Sequence, residues 1–155
     1  MARKQAVESM ELSARLNGAK FFWNTSHRVG YGCENYWTDV LLVQFLLNAV
    51  WRAYIKAEHP GVGNQLLIPD GKFGGKTWGR IKHFQAKNQL VKDGTISKAD
   101  GSRITTPKHG RNYTMHILNA EYSFFYSSYF NDLRLDPKLP IDLCSLISGP
   151  GAELD

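Results

Sequence analysis

This chain lacks most of what would assign a protein of its length to a ready-made class. Cysteine is nearly missing: Cys33 and Cys144 are the two among 155 residues. That is too few for a disulfide framework, and free thiols are expected rather than a single bridge. No apolar run approaches the ~20 residues that a membrane helix needs. The longest, residues 40–50, is interrupted by Gln44 and Asn48, so no membrane partner is expected. Residues 1–8 contain Arg3 and Lys4 but no apolar stretch behind them, and no secretory leader is read there. The histidines His27, His59, His83, His109 and His116 show neither His-x-x-x-His nor His-Glu-x-x-His spacing. Zinc chemistry needs two or three close ligands and a general base, so no metal and no cofactor are expected. Cys33 near His27 is a poor candidate for a catalytic thiol, because no helix start follows it to lower its pKa. Glu8, Glu11 and Glu34 are the glutamates of the amino-terminal arm, and nothing pairs them for acid–base work. No catalytic residue is assigned, and the chain is read as a non-enzyme.

Acidic residues are also scarce in one particular place. Residues 70–113 carry ten basic and three acidic side chains, against seven and five in residues 1–69 and two and six in residues 114–155. The net charge of +5 is therefore concentrated in the middle of the chain, which implies an anionic partner. With 43% hydrophobic and 21% charged residues, the chain is neither disordered nor fibrous, and its length suits one domain with a real core.

The periodicity is mostly helical. Val7, Met10, Leu12 and Leu16 suggest an amphipathic helix within residues 1–18, stopped by Asn17-Gly18. Residues 19–37 read as an irregular aromatic arm, with a short strand conceivable at 20–23. Thr38 or Asp39 is a suitable N-cap for a buried central helix carrying Val40, Val43, Leu47, Val50 and Tyr54, which ends near His59-Pro60-Gly61. A second helix is expected over about 76–89, with Thr77, Ile81, Phe84 and Asn88 on its inner face. Ser97 and Asp100 could open a short third helix by a capping box. Met115, Leu118, Tyr122, Phe125 and Tyr129 then mark one long aromatic helix ending near Asp132, followed by a short apolar segment. The expected fold is all-α: one domain over 1–155, with a core at 35–100, an arm at 1–34, a helical extension at 101–147 and a disordered tail at 148–155.

The chain is organised around Asp70-Gly71-Lys72-Phe73-Gly74-Gly75-Lys76-Thr77, then Phe84-Gln85, Leu90 and a second Asp93-Gly94. Asp-Gly pairs mark turns. An Asp-Gly calcium loop needs oxygen ligands at alternate positions and a closing Glu, and Lys72, Phe73 and Lys76 occupy those places instead. Together with Asp39-Val40, Val43-Gln44 and Leu46-Leu47 upstream, these pairs resemble the peptidoglycan-binding domain found beside bacterial cell-wall hydrolases. The motif there is a helix with V-x-x-L-Q, then D-G-x-F-G-x-x-T, F-Q and a second D-G. The resemblance covers about residues 35–100. It departs where the family repeats a Gly and a Thr after the second Asp-Gly, since Ser97 and Lys98 stand there; the third helix should be altered or displaced.

The resemblance implies a three-helix, noncatalytic module that anchors itself or a partner to the wall by binding peptidoglycan glycan and stem peptide. The partner could be a wall hydrolase or a secreted effector. Such a role would place the protein at the periplasm or cell wall after nonstandard export or phage lysis, and otherwise in the cytoplasm. Candidate ligand contacts are Lys76, Arg80, His83 and Lys87, which spacings of four, three and four align in one stripe, together with Trp78. A guanidinium at Arg80 can hold a carboxylate bidentately. Taken without the resemblance, the stripe reads equally as a solvated helix face beside a half-buried Trp. Tyr36 and Trp37 are the alternative contacts. Two other functions compete: a small muralytic enzyme with its site in the extensions, and a basic nucleic-acid-binding domain. The second is disfavoured by the lack of a recognition motif.

Overall fold

The apolar run at 40–50 becomes the axis of the molecule. The computed structural model describes residues 1–58 and 66–148. Helix α2 (Trp37–Glu58) is buried without interruption from Thr38 to Val50, as befits a helix that is apolar on every face. Helices α3 (Gly75–Lys87) and α4 (Thr114–Phe125) pack on it, and α6 (Ile141–Ser148) covers a further side. Short elements complete the chain: α1 (Met10–Arg15), α5 (Ser127–Phe130) and a 3-10 turn at Leu133–Leu135.

The all-α expectation is overturned by an antiparallel sheet. Strands β1 (Arg3–Ala6) and β2 (Phe21–Asn24) pair with Arg3 opposite Asn24 and Ala6 opposite Phe21, so the fold is mixed, though rich in helix. Phe21, Phe22 and Trp23 are good strand formers that need a partner ladder, and the chain from Arg3 supplies it despite its polar composition. Helix is left only from Met10, where the Ser9 hydroxyl accepts the Leu12 N–H at 3.1 Å. Asn17 and Gly18, both at positive φ, end this turn of chain as expected. The free edge of β2 is closed by a side chain: the Asn119 amide on α4 accepts from Trp23 N–H and donates to Trp23 C=O, both at 2.8 Å. It stands in for the third strand that an open edge would otherwise recruit.

Four further expectations are corrected. Thr38 and Asp39 lie inside α2 rather than capping it. Thr38 Oγ1 accepts from Ala2 N–H, and the Asp39 carboxylate accepts from Ser26 N–H, Ser26 Oγ and His27 N–H, so both side chains tie the arm to the helix. No helix forms at Ser97; Asp100 instead takes the Ser102 and Arg103 N–H groups in a local turn. The long aromatic helix breaks at Tyr126 (φ −130°, ψ 48°), whose hydroxyl donates to Ala49 C=O at 2.7 Å. Ser148, placed in the tail by its sequence, is the last residue of α6. The expected stop at His59-Pro60-Gly61 and the remainder of the tail lie outside the described residues. Neither Cys33 nor Cys144 is in a disulfide among the described residues.

The two polar residues that interrupt the apolar run hold the loop after α2 in place. Asn48 accepts from Leu67 N–H and donates to Leu67 C=O. Gln44 does more: its Oε1 accepts from Gly71 N–H at 2.9 Å, and its Nε2 lies 3.1–3.2 Å from Asp70 Oδ1, Lys72 C=O and Thr77 Oγ1. The same arrangement recurs one helix later. Gln85 Oε1 accepts from Gly94 N–H at 2.9 Å, and its Nε2 lies 3.0–3.3 Å from Asp93 Oδ1, Thr95 C=O and Thr114 Oγ1. Each turn is covered by a Trp seven positions before its Gln, Trp37 over Gly71 and Trp78 over Gly94, and both glycines have φ near +70°. A Cβ at either would overlap the indole, so glycine is required for space as well as for backbone angle. The architecture is thus a helix–turn unit used twice. Thr77 follows Asp70 by seven positions, whereas Thr114 follows Asp93 by twenty-one. In the second unit the Thr that meets the clamp stands at the start of α4, and the extra chain before it forms an inserted loop.

Candidate functional site: a basic cleft between two helices

The Gln44 clamp fixes where α3 starts, and through that the direction of its side chains. Thr77, Ile81, Phe84 and Gln85 face inward and are buried. One step round the helix, Lys76, Arg80 and His83 turn toward the end of α2. There they line a cleft of about 810 Å³, whose other walls are Trp51, Leu66, Leu67, Gly75 and Gly79. Gly75 and Gly79 add no side chain to the α3 wall between these residues. Among the described residues no Asp or Glu lines the cleft.

The stripe is held against aromatic rings of α2. The Arg80 guanidinium carbon sits 4.0 Å from the centre of the Trp51 ring, and His83 meets the same ring edge-on at 5.1 Å. Lys87 places its ammonium 4.5 Å from the Tyr54 ring. Such cation–ring contacts are worth ~0.5–1 kcal/mol where exposed and more when water is excluded. They also limit the rotamer freedom of long side chains, which would otherwise cost about 2 kcal/mol to order on a ligand. Burial lowers the pKa of Arg80, although a guanidinium stays charged at any ordinary pH. His83 is also pushed below the usual histidine value, first by burial and then by the positive charges of Arg80 and Lys87. It therefore enters the cleft as a neutral imidazole near pH 7, with Lys76 and Arg80 supplying the charge.

The sequence aligns Lys76, Arg80, His83 and Lys87 in one stripe, and the structure brings the first three of them to the cleft. Lys87 lies farther along, over Tyr54. Trp78 is elsewhere: it covers Gly94, lies under Lys82 Nζ at 4.4 Å and meets Tyr31 at 5.7 Å. Trp37 covers Gly71 and donates through Nε1 to Asp70 C=O, while Tyr36 packs on His27 at 4.3 Å. Neither joins the cleft. Asp70, Gly71, Asp93 and Gly94 form the two clamped turns, with the Asp70 carboxylate taken up by Gln44 and by Lys72 N–H; Phe73 packs under Tyr31. Trp51, the aromatic wall, was missed. The available signal is a large, polar-tipped ring immediately after the apolar run at 40–50 and three positions before Tyr54. No family description, no curated protein and no solved structure matches this chain.

Proposed function

We propose that the chain is a noncatalytic binding module for peptidoglycan, taking the carboxylates of the stem peptide into the cleft between α2 and α3. The observation that carries this reading is the Arg80 guanidinium stacked on Trp51 in a cleft lined, among the described residues, by basic, aromatic and apolar side chains. A guanidinium already oriented by a ring can take a carboxylate bidentately, and the indole beside it offers an apolar surface to alanine methyl groups or a sugar face. Two further features support the reading: the clamped Asp-Gly turns coincide with the pairs that carry the family resemblance, and the positive charge of the chain is concentrated on this unit. The protein itself, or a partner it carries, would be held at the wall.

Retention on purified sacculi tests the proposal, with duplex DNA as competitor. Replacing Lys76, Arg80 and Lys87 together by Gln should weaken retention roughly threefold to a hundredfold at low salt, from three charge contacts of ~0.2–1 kcal/mol each. Salt at ~0.5 M should weaken the wild type more than the triple variant. Unchanged retention of the variant at low salt would remove the cleft from the binding site. Displacement by DNA would favour a nucleic-acid ligand, and release of soluble muropeptides would make the protein an enzyme.

A further inference from the structure

The second Asp-Gly turn differs from the first in the chain that follows it, and the difference builds a cavity. After Asp70 the chain enters α3 within seven positions. After Asp93 an insertion runs to Thr114 and is pinned at several points. Val29 and Ile96 exchange backbone hydrogen bonds at 2.8 and 2.9 Å. The Asn24 amide accepts from Ala99 N–H and donates to Ala99 C=O. His116 Nε2 holds Asp100 C=O at 2.7 Å, and Thr105 pairs with Asn112 across a small bridge. These nonlocal ties bury Ile96, Ala99 and Tyr113 in the core, whereas residues 102–111 remain exposed or half-exposed although ordering them costs entropy. In repeat architectures, insertions of this kind gather on a binding face.

Between this insertion and the turn lies a cavity of about 410 Å³. Lys98 and Lys108 line it from two ends of the insertion, Arg28 from the amino-terminal arm, with His109 beside them. Arg28 has Glu34 as a partner at 3.4 Å; among the described residues no carboxylate pairs with Lys98 or Lys108. Asp93 is the acid in the lining, and one of its oxygens is already taken by Thr95 N–H and Gln85. Cations brought to one cavity from separate segments, with a single and already engaged acid beside them, form a receptor for an oxyanion.

We propose that this cavity is a second binding site, separate from the α2–α3 cleft, for a small ligand bearing a phosphate or carboxylate group. Lys98, Lys108 and Arg28 supply the charge.

Amide-resolved NMR titration at low salt tests this with inorganic phosphate and, separately, acetate. Saturable shifts should appear in residues 95–98 and 106–114. The Lys98→Gln/Lys108→Gln double variant should bind about tenfold more weakly, and both lysines are exposed, so the fold should be intact. Lys82→Gln/Lys92→Gln, which removes equal charge outside the cavity, should bind like the wild type. Tighter binding of phosphate than acetate assigns a phosphorylated ligand, and the reverse assigns a carboxylate. The proposal is overturned if shifts stay confined to residues 75–83, if none saturate, or if both double variants weaken binding equally. Sacculus retention by the cleft does not enter this readout, so either site can fail alone.

Discussion

Replacing Gln85 by Leu should cost about 3 kcal/mol, and replacing Gln44 by Leu at least as much. Leu keeps the helix and most of the volume, and removes only the amide. At position 85 the loss leaves Gly94 N–H buried without an acceptor, which costs ~1–3 kcal/mol. The donors to Asp93, Thr95 and Thr114 disappear as well. Asp93 is exposed and Thr95 and Thr114 are half-exposed, so water recovers part of that loss, and ~0.5 kcal/mol each is a fair remainder. At position 44 the abandoned hydroxyl belongs to Thr77, which is buried, and less is recovered. Against a typical domain stability of ~5–15 kcal/mol either loss is large, and it is readable by urea unfolding followed through the Trp37 and Trp78 lids. The Gln→Glu variants sharpen the test. Glu keeps an acceptor for the glycine N–H but sets a carboxylate against Asp70 or Asp93 Oδ1 and a carbonyl. It should therefore cost at least as much as Leu at pH 7, and less once the acid is protonated. Losses below about 1 kcal/mol for both Leu variants would refute the clamp as the organising contact.

Two further predictions concern the core. Phe84, 3% exposed, should cost ~3–5 kcal/mol when changed to Ala, and a loss below ~1 kcal/mol in denaturant titration would contradict the inward face of α3. His116 lies between Phe22 and Tyr113, and burial lowers its pKa to about 4 from an ordinary 6.5. The unfolded chain therefore binds the extra proton between those values, so this contribution is complete above pH ~6.5 and is lost as pH falls toward 4. The shift corresponds to about 3 kcal/mol. His116→Gln should flatten stability across that window; a wild-type curve with no decline between pH 6.5 and 4 would contradict the burial.

Where a helix buries one stripe of large apolar side chains, the sequence is readable: α2 and α3 follow from spacing, as does the stop at Asn17-Gly18. Where a segment is shaped by a distant partner, spacing is silent. Arg3-Lys4-Gln5-Ala6 carries no strand pattern, and it is extended because Phe21–Asn24 needs a ladder. Tyr126 breaks an otherwise continuous helical pattern to reach Ala49 C=O. The largest blind spot is the buried amide. Asn24, Gln44, Asn48, Gln85 and Asn119 each bond both a donor and an acceptor far away in sequence. In the sequence, Gln44 and Asn48 look like interruptions of an apolar run. They replace the backbone partners that loops lack, so the residues that weaken the helical pattern are those that fix the loops.

The same logic explains why the basic stripe was legible and its aromatic companion was not. Lys76, Arg80 and His83 lie on one helix, and three- and four-residue spacing is enough to place them on one side. Choosing the ring that faces them requires the rotation of α2 against α3, which the Gln44 contact sets and no local pattern announces. Trp78, adjacent in sequence, was the natural choice, but its position seven residues before Gln85 commits it to Gly94. Trp37 has the same offset from Gln44 and the same duty over Gly71. Once both of those indoles are assigned to the turns by the repeat, the indole left on α2 to pair with Arg80 is the one that the repeat does not use. That residue is Trp51, whose Nε1 is buried without a partner.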